Sequence, residues 1–218
     1  MRHTRHGVPV FLALAVHLCG LPSVTAATAI DGQEPAAEYV LEIDGKARPV
    51  ALNKEFRVPV NAGNARMKLS LRPLRTFNKS GVRFQYPTQY TFEADTSDPT
   101  VTHWAVSGNN SILMLHRFEK VEASAALQAV TSELVSQFGK SNVKVNAVSM
   151  VLDRRKVAGK RLNVMLAGQK VVQEVFAFSN RESTFVLIVQ DTTQDNGKET
   201  PETTRLKKLL AASLRFNG

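Results

Sequence analysis

The chain has 218 residues, with 28 Lys and Arg against 19 Asp and Glu, a formal net charge of +9 and a hydrophobic fraction of 43%. That length suits one domain with at most a small accessory unit, and that hydrophobic share is enough for a packed core, which excludes a disordered or fibrous chain. A single cysteine excludes a disulfide framework and a multi-cysteine metal centre.

Residues 1–26 read as a cleavable signal peptide. Arg2 and Arg5 supply the positive start, Val8 to Leu18 the apolar middle, and Gly20 and Pro22 break it; small residues follow at Val24 and Ala26, or at Ala27 and Ala29. The apolar run is about half of the ~20 residues that a spanning helix needs. Cys19 lies inside this segment behind Val16-His17-Leu18, not behind the small residues of a lipoprotein signal, so cleavage leaves a chain without a thiol. The expected location is the periplasm or the exterior. Residues 27–37, small and polar, are expected to form a flexible tail.

Residues 38–76 read as a small β-rich segment. Tyr39 to Ile43 leads into the hairpin-type turn Asp44-Gly45, then Val50 to Leu52. Phe56 to Val60 alternates with period two, and Pro59 marks it as an edge strand. After a turn at Asn61 to Asn64, the stretch Arg66 to Arg72 alternates strictly. Met67, Leu69 and Leu71 fall on one face, with Arg66, Lys68 and Arg72 on the outward face.

Residues 77–218 form the main domain. Strands are expected at Val82 to Tyr86, Tyr90 to Glu93, His103 to Val106 and Ile112 to Phe118. Leu127, Val130, Leu134 and Phe138 then recur at helical spacing, which predicts a helix over Ala123 to Phe138 capped by Gly139. Further strands follow at Val145 to Arg155, Lys160 to Leu166, Val171 to Phe178 and Phe185 to Gln190, with turns at Ala158-Gly159, Ala167-Gly168 and Ser179 to Ser183. Thr200 is the expected N-cap of a last helix, Pro201 to Leu214, with Leu206, Leu209, Leu210 and Leu214 as its buried stripe. The expected fold class is α+β: an antiparallel sheet with two main helices packed on it, preceded by the short β-rich segment.

Three phrases set within that element order carry a resemblance: Phe84-Gln85-Tyr86-Pro87 in an early strand, Gly159 to Asn163 in a later one, and Ala212-Ser213-Leu214-Arg215-Phe216 at the end. Over Phe77 to Gly218 the chain resembles the PsbP-like proteins, α-β-α sandwiches that include extrinsic photosystem II subunits and exported bacterial proteins. The resemblance implies an accessory or binding role without a conserved catalytic set.

Catalytic motifs are missing. The mature chain holds no cysteine, no G-x-S-x-G elbow and only two histidines, His103 and His116. His116 follows Ile112 and Met114 on one strand face, where a hydrogen-bonded core histidine is expected. Asp191, Thr193, Asp195, Glu199 and Glu202 imitate calcium-loop spacing, but Asn196 stands where the loop needs glycine. Gly139-Lys140-Ser141 follows a helix, whereas a phosphate loop precedes one. No catalytic residue, metal or cofactor is therefore expected.

Charge is the stronger signal. Ten Lys or Arg residues and one acid, Glu55, fall between Lys46 and Arg83. A second cluster joins Arg154, Arg155 and Lys156 to Lys160 and Arg161 around the expected Gly159 turn. Arg66, Lys68, Arg72 and these five are the candidate residues for an anionic partner. The expected partner is a protein or an anionic envelope component, including peripheral membrane contact. Nucleic acid is excluded because the basic strands lack interleaved aromatics. Two alternatives stand beside this accessory role: a carboxylate hydrolase using Asp153, Glu174 and Asp191, and a carrier with an apolar cavity between helix and sheet.

Overall fold

A computed structural model describes residues 31–55, 57, 64–98, 100–166, 168–194 and 196–216. The signal peptide and most of the Phe56 to Val60 stretch lie outside the described residues.

The first strands follow from local turn chemistry. β1 (Tyr39–Ile43) and β2 (Lys46–Val50) are joined by Asp44 and Gly45, both at positive φ (47° and 80°), the backbone twist that a two-residue hairpin requires. β3 (Met67–Leu71) pairs with the other side of β1, giving the order β2-β1-β3. Next, β4 (Leu74–Lys79) and β5 (Val82–Pro87) form a hairpin through Ser80 and Gly81. The expected boundary at residue 76/77 thus falls inside β4.

The large sheet is assembled by two runs of hairpins. β6 (Thr91–Asp95), β7 (Val101–Ser107) and β8 (Ser111–Glu119) pair in succession. Helix α1 (Ala123–Phe138) then carries the chain across one face to the far edge. From there β9 (Val143–Leu152), β10 (Arg155–Leu166), β11 (Gln169–Ser179) and β12 (Ser183–Thr192) step back until β12 closes against β8. The order is β6-β7-β8-β12-β11-β10-β9, antiparallel throughout. Helix α2 (Pro201–Ser213) and the short β13 (Arg215–Phe216), which pairs with β5, complete the chain.

Both faces of the large sheet's central strands are covered, while β9 at its edge is largely exposed. On one face, Ala126, Val130 and Leu134 of α1 pack on Leu162, Val164, Val175, Val186 and Ile188. On the other, Phe77, Phe84 and Tyr86 of the β4–β5 hairpin join Leu206 and Leu210 of α2, along with Leu214 and Phe216. They cover Trp104, Leu115, Phe176, Phe185 and Leu187. Each such large apolar side chain contributes roughly 1.5–3 kcal/mol on burial.

Several expectations are corrected. Among the described residues, thirteen strands in three antiparallel sheets dominate, with only two α-helices. The protein is β-rich, not an α+β fold of two main helices on one sheet. The physical reason is that β4–β5–β13 and the long β9–β12 hairpins take over cover and area assigned to helices. Ala158-Gly159 is not a turn: Gly159 lies inside β10, opposite Phe176 and Val148, and the hairpin turns at Asp153 and Arg154 (φ 47° and 63°). Residues 31–37, expected as a flexible tail, are tied down. The Asp31 carbonyl accepts from Trp104 Nε1 at 2.8 Å, the Pro35 carbonyl accepts from Arg75 at 3.2 Å, and Glu34 pairs with Arg75.

A Cβ at position 159 would collide with the Val175 carbonyl and the Phe176 ring. Gly159→Ala is expected to destabilise the protein by about 1–3 kcal/mol, since rigid backbone cannot yield to it. Urea unfolding of the variant against the parent measures this.

Candidate functional site

The first basic group lies on the small sheet. Register places Lys46, Ile43 and Met67 in one row, Arg48, Leu41 and Leu69 in the next, and Val50, Tyr39 and Leu71 in the third, all on one face. Met67, Leu69 and Leu71 are 56%, 57% and 49% exposed, so the apolar row of β3 is uncovered. Arg66, Lys68 and Arg72 have the opposite parity and are exposed as well. They are not equivalent. Arg72 is paired with Glu38 at 2.7 Å, and Lys68 sits directly across from Glu42. Arg66 is held through its backbone, its N–H donating to the Asp44 carboxylate at 2.9 Å and its carbonyl accepting from the Asp44 N–H at 3.0 Å.

The second basic group divides. Arg154 is in the β9–β10 turn, and the Arg155 guanidinium lies 5.2 Å from the centre of the Phe216 ring. Lys156 and Lys160 share the parity of Leu162 and Val164, and so face the α1 side. Arg161 has the parity of Val157 and faces the α2 side, where it donates to Glu174 at 3.0 Å. The five cations therefore do not form one patch: strand pleat separates them because the turn is at 153–154, not 159.

The three carboxylates considered for hydrolysis all have structural partners. Glu174, 3% exposed, accepts from Arg161 and, through its other oxygen, pairs with Lys207 at 2.8 Å. Lys207 also reaches Glu199 at 2.8 Å. Burial pulls the Lys207 ammonium down, but hydrogen bonds to both carboxylates outweigh it and hold its pKa above the usual lysine value. Asp191, also 3% exposed, accepts from the hydroxyls of Thr200 (2.6 Å) and Thr203 (2.7 Å), while Thr200 Oγ1 accepts from the Thr203 N–H as the α2 cap. Asp153 stands at the hairpin turn, 3.8 Å from Arg215. These acids fasten α2 and the chain end to the large sheet.

The calcium-like spacing resolves the same way. Asp191 is used as above, Glu199 accepts from Thr204, and Glu202 accepts from the N–H groups of Asn109 and Asn110. Asp195 lies outside the described residues. No group of three or more metal-binding side chains occurs among the described residues. A pocket of about 290 Å³ lies beyond the end of α1 at the β9–β11 ends, with Lys144, Asn163, Met165 and Lys170 in its walls. It is not the apolar cavity between helix and sheet that a carrier would present.

Pattern reading of the sequence missed one polar contact. His103 and His116 face each other across β7 and β8, with their Nδ1 atoms 2.5 Å apart. The pair follows from the register that sets Ser107 opposite Ile112 at the hairpin end. His116 Nε2 is buried without a partner. An orphaned donor costs more than an orphaned lone pair, so the favoured tautomer has His116 donate from Nδ1 to His103. Burial, then the neighbouring His103, pushes His116 down to about 3, and burial also lowers His103 against the opposing pull of Asp95 and Asp98.

The chain matches no family of known proteins and no curated protein sequence. Twelve solved chains are similar to it in structure, among them a Pseudomonas aeruginosa protein of unknown function. That alignment covers 66% of this chain and 99% of the other, at 9% identity and a TM-score of 0.37. At those values neither fold nor function passes from that protein to this one.

Because both histidines hold protons less tightly when folded, the unfolded chain binds more protons at mildly acidic pH. Stability is thus complete above about pH 6.5 and falls as pH drops toward 3. The window from about pH 6.5 to 5.5 lies above the range in which ordinary Asp and Glu side chains take up protons. Urea midpoints over that window are expected to fall in the parent and to flatten in His116→Gln.

Proposed function

We propose that the chain is an exported, non-catalytic accessory protein that binds an anionic partner through its small β2-β1-β3 sheet. One observation carries this: Met67, Leu69 and Leu71 stand half-exposed in a row on the face that also bears Lys46 and Arg48. Contiguous apolar side chains left in water beside cations mark interaction sites more often than passive surface. The central strands of the large sheet are covered on both faces. The apolar side chains exposed at that sheet's edge, Val145, Val151, Met165 and Leu166, are scattered over β9 and β10 rather than set in one row.

Three further points support this. The signal-like start of the sequence points to work outside the cytoplasm. The resemblance to PsbP-like proteins points to an accessory role. The buried acids each have partners that catalysis would have to break. Of the eight basic candidates, Arg66, Lys68 and Arg72 lie on or beside β3 but on the face opposite its uncovered row, whereas Arg161 belongs to the ion network under α2.

A photo-crosslinking residue introduced at Leu69 in expressing cells is expected to form adducts, whereas one at Lys156 is not. Absence of adducts at position 69, or equal adducts at both, contradicts the proposal.

A further inference from the structure

The composition of this face narrows the partner, granted the binding role proposed above. Lys46 and Arg48 have no ion-pair partner among the described residues, and Leu52, just past β2, is 58% exposed. A second copy of the chain fits badly, since these rows of the face carry no acidic residue and a two-fold contact through them would bring together four cations with no carboxylate to pair them. A shape-specific protein partner also fits badly. Such contacts are anchored by Trp, Tyr and Arg seated in pockets, with Leu under-represented. Here Tyr39 is half-buried and Arg48 stands open in water. The protruding apolar groups are two leucines and a methionine, long and flexible, on an open antiparallel sheet. Apolar protrusions ringed by cations match a headgroup layer, where hydrocarbon lies just beneath a sheet of phosphates.

We propose that the β1–β3 face docks the protein on an anionic phospholipid surface. Met67, Leu69 and Leu71 enter the interface, while Lys46 and Arg48 pair with headgroup phosphates. No helix among the described residues is long and apolar enough to cross a membrane, so this contact is peripheral.

The test uses the processed protein recovered from expressing cells, its N-terminus read by mass spectrometry so that no uncleaved leader contributes. Co-sedimentation is measured with vesicles of phosphatidylcholine containing 30% phosphatidylglycerol, and with pure phosphatidylcholine. Binding to the anionic vesicles only is expected. Each cation removed near such a surface weakens partitioning roughly fivefold, so Lys46→Gln with Arg48→Gln should lose about twenty-five-fold. Leu69→Ser should weaken binding with an unchanged melting temperature, because its side chain is exposed. Arg154→Gln with Lys156→Gln makes the same charge change on the distant hairpin and should shift binding less than about twofold. No vesicle binding, or equal loss from both charge pairs, overturns the lipid assignment. If position 69 still crosslinks to a protein in cells, the binding face survives and only its lipid partner is lost. If it crosslinks to nothing, both fall.

Discussion

The structure depends on one constraint: β11 and β12 carry apolar side chains on both faces, so the large sheet needs a cover on each side. Along β12, Phe185, Leu187 and Val189 point one way and Val186 and Ile188 the other, all buried. Such a doubly buried strand reads as a continuous apolar run, unlike a strand with one wetted face. Helix α1 supplies one cover during the crossing that places β9 at the far edge. The second cover is composite, made of the β4–β5 hairpin, α2 and β13. This explains why the chain end returns to pair with β5, and why strands outweigh helices.

Two buried acids inside that frame hold the second cover in place. Asp191 receives two hydroxyls and fixes where α2 begins. Glu174 draws Arg161 from β10 and Lys207 from α2 onto one carboxylate. Removing Asp191 would leave buried hydroxyl and N–H donors unpaired, at a cost of about 1–3 kcal/mol for each such group. Without Glu174, by contrast, Lys207 would keep its pair with Glu199. Groups so placed serve the fold. Of the surfaces the frame leaves in water, β3 of the small sheet exposes three apolar side chains at successive positions of one face, whereas Val145 and Val151 on β9 stand six residues apart.

Much of the order of elements was legible from the sequence. The helix over Ala123 to Phe138, the strand Tyr39 to Ile43 and the cap Thr200-Pro201 follow from periodicity and capping chemistry, and the structure has them at those positions. Misreadings arose where local signals were silent. The turn at Asp153 and Arg154 uses two non-glycine residues at positive φ, which composition does not announce, while Gly159 invites a turn but is needed for close approach to Val175 and Phe176. That displacement of five residues split the second basic cluster across two faces. For β3 the alternation was right but the inference of a covered face was not, because burial is a property of neighbours and not of period. The His103–His116 pair required register, which strand positions alone do not give.

If binding belongs to the small sheet and packing to the large one, hydrogen exchange of the processed protein with and without anionic vesicles should show slowed exchange confined to residues 39–50 and 67–71, with β8, β11 and β12 slow in both states. Protection appearing at the β9–β10 hairpin in place of β1–β3 would contradict that division.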